Sequence, residues 1–499
     1  MIRSVSCRFC LSSALLVAGC SMVPAYQRPS STLPEGFKEE PGWRPAAPAD
    51  GKPRADWWTW LGDTELDALQ GRVLVSNQNL AAAMAAYDQA RAAVKEQRAA
   101  LFPSVDLQAG ATRAGSFGNN VSGGVAVGTT GGLSGNASSS AGRRYSASVG
   151  ASWEVDVFGR LRASVSQAGA LAQASAADLA NVTLAARGEL ALDYLQLRAI
   201  DAQADILDAA IAGFERALQI TNNRYAAGVV GRVDILQAET QLRNARADAA
   251  DLGRQRAALE HATAVLVGES PSTFALAKAQ WSPQIPDVPA VLPSELLERR
   301  PDIASAERRV AAANAAVGIA RSAYFPTLSL TGSAGFSSSS VSSLFDIASS
   351  VWSLGATGLM TLLDFGARSA RVDQARAAYE QTVAQYRQTV LVAFQQTEDQ
   401  LAAVRILEHV ERERAAATTA ANQAEQITLN QYSAGTVSYS NVILAQATAL
   451  TARQASVTAT LNRQTAAISL IQAIGGYWDG NVDARADVAN QPAPRPGAS

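Results

Sequence analysis

The chain has 499 residues, 48% of them hydrophobic and 17% charged, with a formal net charge of −2. That length and apolar content suit two or more folded units and exclude a largely disordered chain. The near-neutral balance, with no basic stripe, excludes a nucleic-acid partner. Three cysteines, Cys7, Cys10 and Cys20, all sit at the start, so the body of the chain has no disulfide framework, zinc quartet or thiol nucleophile.

At the N-terminus, Arg3 and Arg8 precede "LSSALLVAGC", an apolar run too short to cross a bilayer that ends in small residues. Residues 1–19 have the character of a lipoprotein signal peptide. "LVAGC" resembles a bacterial lipobox, which makes Cys20 the acylated first residue of the exported chain, and several acyl chains hold a membrane without a spanning helix. By the same resemblance, Ser21 favours sorting to the outer membrane. Residues 20–62 follow as a lipid-anchored, proline-rich segment, with seven of the 18 prolines between 21 and 53.

Periodicity predicts helices at about 63–101, 159–226, 231–267, 294–323, 366–433 and 438–474. Two of these are far longer than a globular helix. In the second long one, Val372, Ala375, Tyr379, Val383, Tyr386, Val390, Phe394, Thr397 and Leu401 recur close to the natural helix period. That spacing suits nearly straight helices side by side; an ordinary coiled-coil rod is the alternative. Four other segments alternate instead: 104–111, 145–157, 327–336 and 352–363. They place Val105, Leu107, Ala109, Tyr145, Ala147, Val149, Ala151, Trp153, Val155, Leu328, Leu330, Trp352, Leu354 and Met360 on apolar faces. Their length suits tilted membrane strands, although a soluble sheet with one buried face alternates in the same way. Long Gly/Ser/Asn-rich connections, 114–142 above all, favour membrane hairpins. Four strands cannot close a barrel, so several chains must share one.

The order of elements repeats. The first repeat spans 63–268 with a hairpin at 104–157, a connector covers 269–293, the second repeat spans 294–475 with a hairpin at 326–364, and 476–499 form a tail. "LFPSVDL" (101–107) corresponds to "YFPTLSL" (324–330), and "DVFGRLR" (156–162) to "LDFGARS" (363–369). Between the helices of each repeat stands a Tyr-x-x-Gly turn, "RYAAGVVGRVDILQAET" (224–240) and "QYSAGTVSYSNVILAQA" (431–447). Gly435 lies 207 residues beyond Gly228, as Tyr432 does beyond Tyr225.

Together with "LLERRPDIASAE" (296–307), "ARSAYFPTLSLTG" (320–332), "SWEVDVFGR" (152–160) and "RQTVLVAFQQTEDQLA" (387–402), these motifs mark a family likeness that covers nearly the whole exported chain. The chain resembles the outer membrane factors of Gram-negative bacteria, the TolC-like efflux channels, and especially the OprM- and NodT-like lipoprotein branch. The resemblance implies an α+β membrane protein working as a homotrimer. Each chain would give four strands to a twelve-stranded outer-membrane barrel and its helices to a long periplasmic helical barrel. It also implies a passive duct that meets a periplasmic adaptor (membrane fusion) protein and an inner-membrane pump, commonly of the resistance-nodulation-division (RND) type, with cargo chosen by the pump.

By resemblance the Tyr-x-x-Gly turns are periplasmic tips. Gly228, Val229, Gly435 and Thr436 would meet the adaptor, while Asp234, Tyr432, Ser440, Asn441 and Leu444 would form the gate. The chain departs from relatives that carry carboxylates or a basic brace there, having Asn441, Leu444 and Val437 instead. Asp234 and Tyr432 are expected to hydrogen-bond across the tip, above a constriction of Leu444 with Asn441 or Ser440; an apolar ring blocks ions by dewetting. The other reading of Asp234 is a helix-start acid favoured by the helix dipole. No cofactor, metal site or catalytic residue is expected. His261 and His409 lie in helical patterns without triad or metal spacing, and the Glu298, Arg299, Arg300, Asp302 cluster fits a helix start. A trimeric structural lipoprotein or adhesin with a coiled-coil stalk is the rival reading.

Overall fold

A computed structural model describes residues 22–30, 37–39, 56–114, 142–286, 288 and 300–476. The expected signal peptide, the lipobox with Cys20, most of the first hairpin loop, Glu298 and Arg299, and the tail beyond Gly476 lie outside the described residues. In chain order, a 3₁₀ turn (Trp57–Leu61) leads to α1 (Thr64–Ser76), α2 (Gln78–Ala99), β1 (Ser104–Ala114), β2 (Gly142–Val155), α3 (Arg160–Ala226) and α4 (Arg232–Leu266). After the connector come α5 (Pro301–Ser322), β3 (Thr327–Ser338), β4 (Ser350–Leu359), α6 (Ala367–Ser433) and α7 (Tyr439–Ala473), with a short 3₁₀ turn, Ile347–Ser349, before β4. These three pairs of helices repeat to the residue: α3 and α6 each have 67 residues, α4 and α7 35, and α2 and α5 22.

Several expectations change in detail. The single helix expected over 63–101 is two helices, because Asn77 adopts an extended backbone (φ −67, ψ 121). Its Nδ2 donates to the Leu266 carbonyl at 2.8 Å while its Oδ1 accepts the Leu80 N–H at 3.0 Å, so the side chain ends one helix and caps the next. The last strand runs Ser350–Leu359, so Met360 falls just past it. The 3₁₀ turn at Trp57–Leu61, within the segment expected to be an anchor linker, buries Trp57, Trp58 and Leu61. Every member of the predicted α6 stripe from Val372 to Leu401 is buried or half-buried.

The chain divides into two compact units. One comprises residues up to Gln27, Arg91–Ala170 and Ala311–Gln381; the other comprises Arg28–Ala90, Leu171–Val310 and Thr382 onward. The first holds an antiparallel sheet in the order β1-β2-β3-β4. Its register sets Leu107 opposite Val149, Val149 opposite Ala334, and Ala334 opposite Trp352. The apolar positions predicted for the four strands therefore come out on one face, while Ser, Thr, Gly, Asp106 and Gln108 dominate the other, which also carries Val351 and Leu359 of β4.

The second unit is helical, and buried alanines, among them Ala174, Ala176, Ala177, Ala191 and Ala199, let its backbones pack closely. Its polar interior ties the connector down. Arg198, 1% exposed, donates to Asp201 and to the Ala277 carbonyl and pairs with Glu65. Arg256 reaches the other Asp201 oxygen at 2.8 Å and the Leu276 carbonyl at 2.7 Å. Gln464, fully buried on α7, accepts from Trp281 Nε1 at 3.0 Å and donates to the carbonyls of Ser282 and Gln284, both at 2.8 Å. Gln464→Leu keeps the volume but removes three hydrogen bonds, two of them to the half-buried Trp281 and Ser282, and is expected to cost about 2–3 kcal/mol. Thermal melting of the purified protein checks this, and an unchanged midpoint would remove Gln464 as the fastening of the connector.

Candidate functional site

The two helix-to-helix tips share one local design. Where α3 ends, the Gly228 N–H donates to the Tyr225 carbonyl at 2.8 Å and the Val229 N–H to the Arg224 carbonyl at 2.9 Å. Where α6 ends, Gly435 donates to Tyr432 at 2.9 Å and Thr436 to Gln431 at 3.0 Å. These are paired 5→2 and 6→1 closures, which need a left-handed residue; Gly228 (φ 76) and Gly435 (φ 79) supply it. Chain reversal after a 67-residue helix is thus a purely local consequence of sequence.

Within the second unit the two tips lie against each other and the repeats diverge. Tyr225 is 45% exposed while its counterpart Tyr432 is 4% exposed. Tyr432 packs with Tyr439, Val442, Ala217 and Ala238, drawing on all four helices, and its ring centroid is 5.4 Å from that of Tyr439. Arg224, in the last turn of α3, lies 4.6 Å over the Tyr432 ring and donates to the Tyr432 carbonyl at 2.8 Å. A cation placed on the carbonyl end of α6 also meets its dipole favourably. The Tyr432 hydroxyl pairs with Thr221 at 3.3 Å.

The Tyr432 hydroxyl therefore meets Thr221 on α3 in place of the expected hydrogen bond to Asp234. Asp234 is half-buried in the first turn of α4, close enough that its charge acts on Tyr439. Burial first, then Tyr432 and Asp234, push the Tyr439 phenol up to about 12, and its buried hydroxyl has no hydrogen-bond partner among the described residues. Ser440, Asn441 and Leu444 lie exposed on the opposite side of α7 from the buried Tyr439, Val442 and Gln446. Val229, Gly228, Gly435 and Thr436 are exposed at the turns.

Sequence reasoning missed Arg224, Thr221 and Tyr439. Setting the repeats side by side was the available signal, because 207 residues on, Arg224 becomes Gln431, Asp234 becomes Asn441 and Arg232 becomes Tyr439. The charges of the tip belong to the first repeat alone.

The sheet carries the other functional surface. Leu107, Trp352 and Leu354 are 76%, 81% and 81% exposed on its apolar face. An open apolar face of this extent is costly in water and suits hydrocarbon. No helix among the described residues is long and apolar enough to cross a membrane.

A four-stranded sheet, apolar on one face and polar on the other, joined to a twice-repeated pair of long helices, defines a subunit of an outer-membrane channel. The comparisons with known proteins agree. The outer membrane efflux protein family model matches residues 69–269 and 292–476, and the chain belongs to that family. It is 31% identical to the outer membrane protein OprJ of Pseudomonas aeruginosa over 476 residues, 94% of this chain and 96% of that one. It is 30% identical to the cation efflux system protein CusC of Escherichia coli over 480 residues, covering 94% and 98%. The structure of the outer-membrane channel OprN superposes with a TM-score of 0.82 at 27% identity, covering 92% of this chain and all of that one. The protein is an outer-membrane efflux channel, and its relatives are channel proteins.

Gly435→Ala forces a side chain into the left-handed region and is expected to cost about 1–2 kcal/mol, as is Gly228→Ala. Melting of each variant against the unmodified protein checks this, and two neutral substitutions would show that the turns relax into another closure.

Proposed function

We propose that the protein is the outer-membrane duct of a tripartite efflux system. It would work as a homotrimer whose three sheets close one twelve-stranded barrel and whose helices form the periplasmic conduit. The observation that carries the reading is the sheet itself: β1 and β4 are both edges, beside an exposed apolar face. In hydrocarbon an edge leaves backbone groups unpaired, and one chain has too few strands to close. The duct is passive and takes cargo handed over by an inner-membrane pump of the RND type through a periplasmic adaptor. Acylation at Cys20 adds an anchor in outer-membrane lipid. Residues 63–268 and 294–475 are taken as the two repeats, with 269–293 between them.

At the tips, Gly228, Val229, Gly435 and Thr436 form the surface offered to the adaptor. The gate comprises Asp234, Tyr432, Ser440, Asn441 and Leu444, and Arg224 holds the second tip against the first. The exposed side of α7 bears an amide, a hydroxyl and an apolar side chain where an acidic ring would select cations, so the closed state rests on packing and on the Arg224 clasp. Reconstitution in lipid tests the duct: a heat-modifiable trimer that conducts supports it. A water-soluble protein set free by removing the acyl chains would overturn it in favour of a structural lipoprotein.

Arg224→Ala removes a charge-assisted hydrogen bond and a cation–π contact together worth about 2 kcal/mol. It is expected to raise the open fraction in planar-bilayer recordings by about tenfold or more at that energy. Asp234→Ala leaves the clasp intact and is expected to alter opening less; equal effects of the two, or none from Arg224→Ala, would remove Arg224 from the gate. Cys20→Ala is expected to abolish incorporation of radiolabelled palmitate while leaving conductance in reconstituted bilayers unchanged.

A further inference from the structure

Resting on the trimer reading, in which β4 of one copy borders β1 of the next, we infer that this junction takes the same register as the β2–β3 seam within one chain. Each such junction is closed by Phe365 stacked on Phe102 of the next copy.

Two offsets relate the repeats. Before the hairpin loops it is 223 residues, placing Phe102 on Phe325 and Ser104 on Thr327; after them it is 207, placing Phe158 on Phe365 and Gly159 on Gly366. The sheet obeys both. Ser104 pairs with Ser152 in the first hairpin, and applying the offsets gives Thr327 with Leu359, which is the pairing in the second. The two hairpins are therefore superimposable units in register.

Between them, inside the chain, β2 pairs with β3, and just beyond the strand ends Phe158 stacks on Phe325 with centroids 4.9 Å apart and planes 23° apart. One phenylalanine comes from the segment leaving the first hairpin and the other from the segment leading into the second. Their repeat counterparts have no such contact among the described residues. Phe365 is 93% exposed and Phe102 70% exposed, with Leu359, Leu362 and Leu363 beside Phe365 also open at 70%, 85% and 71%. Phe365 moreover holds φ at 51, in the left-handed region that a bulky side chain enters only when its surroundings compensate.

A second hairpin meeting the next copy's first hairpin supplies what is missing. Carrying the β2–β3 register through the offsets sets Gly358 opposite Ala109 of the next copy, Met360 opposite its Leu107 and Leu354 opposite its Arg113. The in-chain pairs behind these are Ala151 with Gly332, Trp153 with Leu330 and Ala147 with Phe336. The derived pairs all bring the apolar face of β4 onto the apolar face of β1, a match of parity that a register one residue away would break. Such a head-to-tail contact, using different surfaces of the two partners, closes into a ring when the rotation permits.

The test uses the full chain carrying Ala109→Cys with Gly358→Cys; its other cysteines all lie at or before position 20, and a Cβ at position 358 meets nothing within 4 Å. Paired Cα atoms across a ladder sit within disulfide reach, whereas a two-residue slip moves them roughly 7 Å along the strand and out of it. Oxidation in lipid is expected to give covalent multimers that survive boiling in SDS and vanish with reductant. The shifted pair Leu107→Cys with Gly358→Cys should yield at least tenfold less. Phe102→Ala and Phe365→Ala are each expected to lower the temperature at which unoxidised multimers dissociate in SDS, with the double variant lowering it no further than the worse single one. Equal crosslinking by the matched and shifted pairs, or additive losses at the two phenylalanines, would overturn the seam. If unmodified protein assembles and conducts while the matched pair stays uncrosslinked, the register alone fails; if it does not assemble at all, the trimer reading fails first.

Discussion

Backbone hydrogen bonding in a medium without water is the constraint on which this structure turns. Each N–H and C=O of a strand in hydrocarbon has to find a partner in protein. Four strands in simple sequential order satisfy their three inner ladders and leave β1 and β4 with unused edges. Apolar residues come out in register on one face of all four strands, so the sheet is amphipathic as a whole. Both features follow from a period of two applied twice within one chain.

Tandem repetition then governs the rest. Elements with matching lengths place equivalent residues at equivalent positions, and the places where the two repeats differ are where function concentrates. At the sheet, Phe158 and Phe325 meet inside the chain while Phe102 and Phe365 stay exposed at its edges. At the tips, Tyr432 is buried where Tyr225 is open, and Arg224 covers it where the other repeat has Gln431. Two copies of one supersecondary unit in one chain can specialise in ways that two identical chains cannot.

The helical unit relies less on large apolar side chains than on close backbones and satisfied polar groups. Buried alanines bring helices together, and the side chains of Arg198, Arg256 and Gln464 hold a connector with little regular structure by donating to its carbonyls, with Asp201 accepting from both arginines. Buried charges of this kind are expensive alone and tolerable only when paired. The Arg198–Asp201–Arg256 group spends its donors on both carboxylate and backbone, so the connector is fixed by groups that have no better partner.

Local rules made much of this legible in the sequence. A 3.6-residue period over 67 residues, a glycine where the chain must turn left-handed, and alternation along each strand gave the long helices, the tips and the strands to within a few residues, since each depends on near neighbours alone. Tertiary structure decided the rest. Asn77 divides one predicted helix because its side chain reaches the Leu266 carbonyl, far along the chain. Tyr432 bonds to Thr221 and lies beneath Arg224, and its hydroxyl does not take Asp234 as partner, because the packing of four helices determines which side chains meet. Periodicity fixes which way a side chain faces on its own element; only the assembled helices fix what stands opposite it.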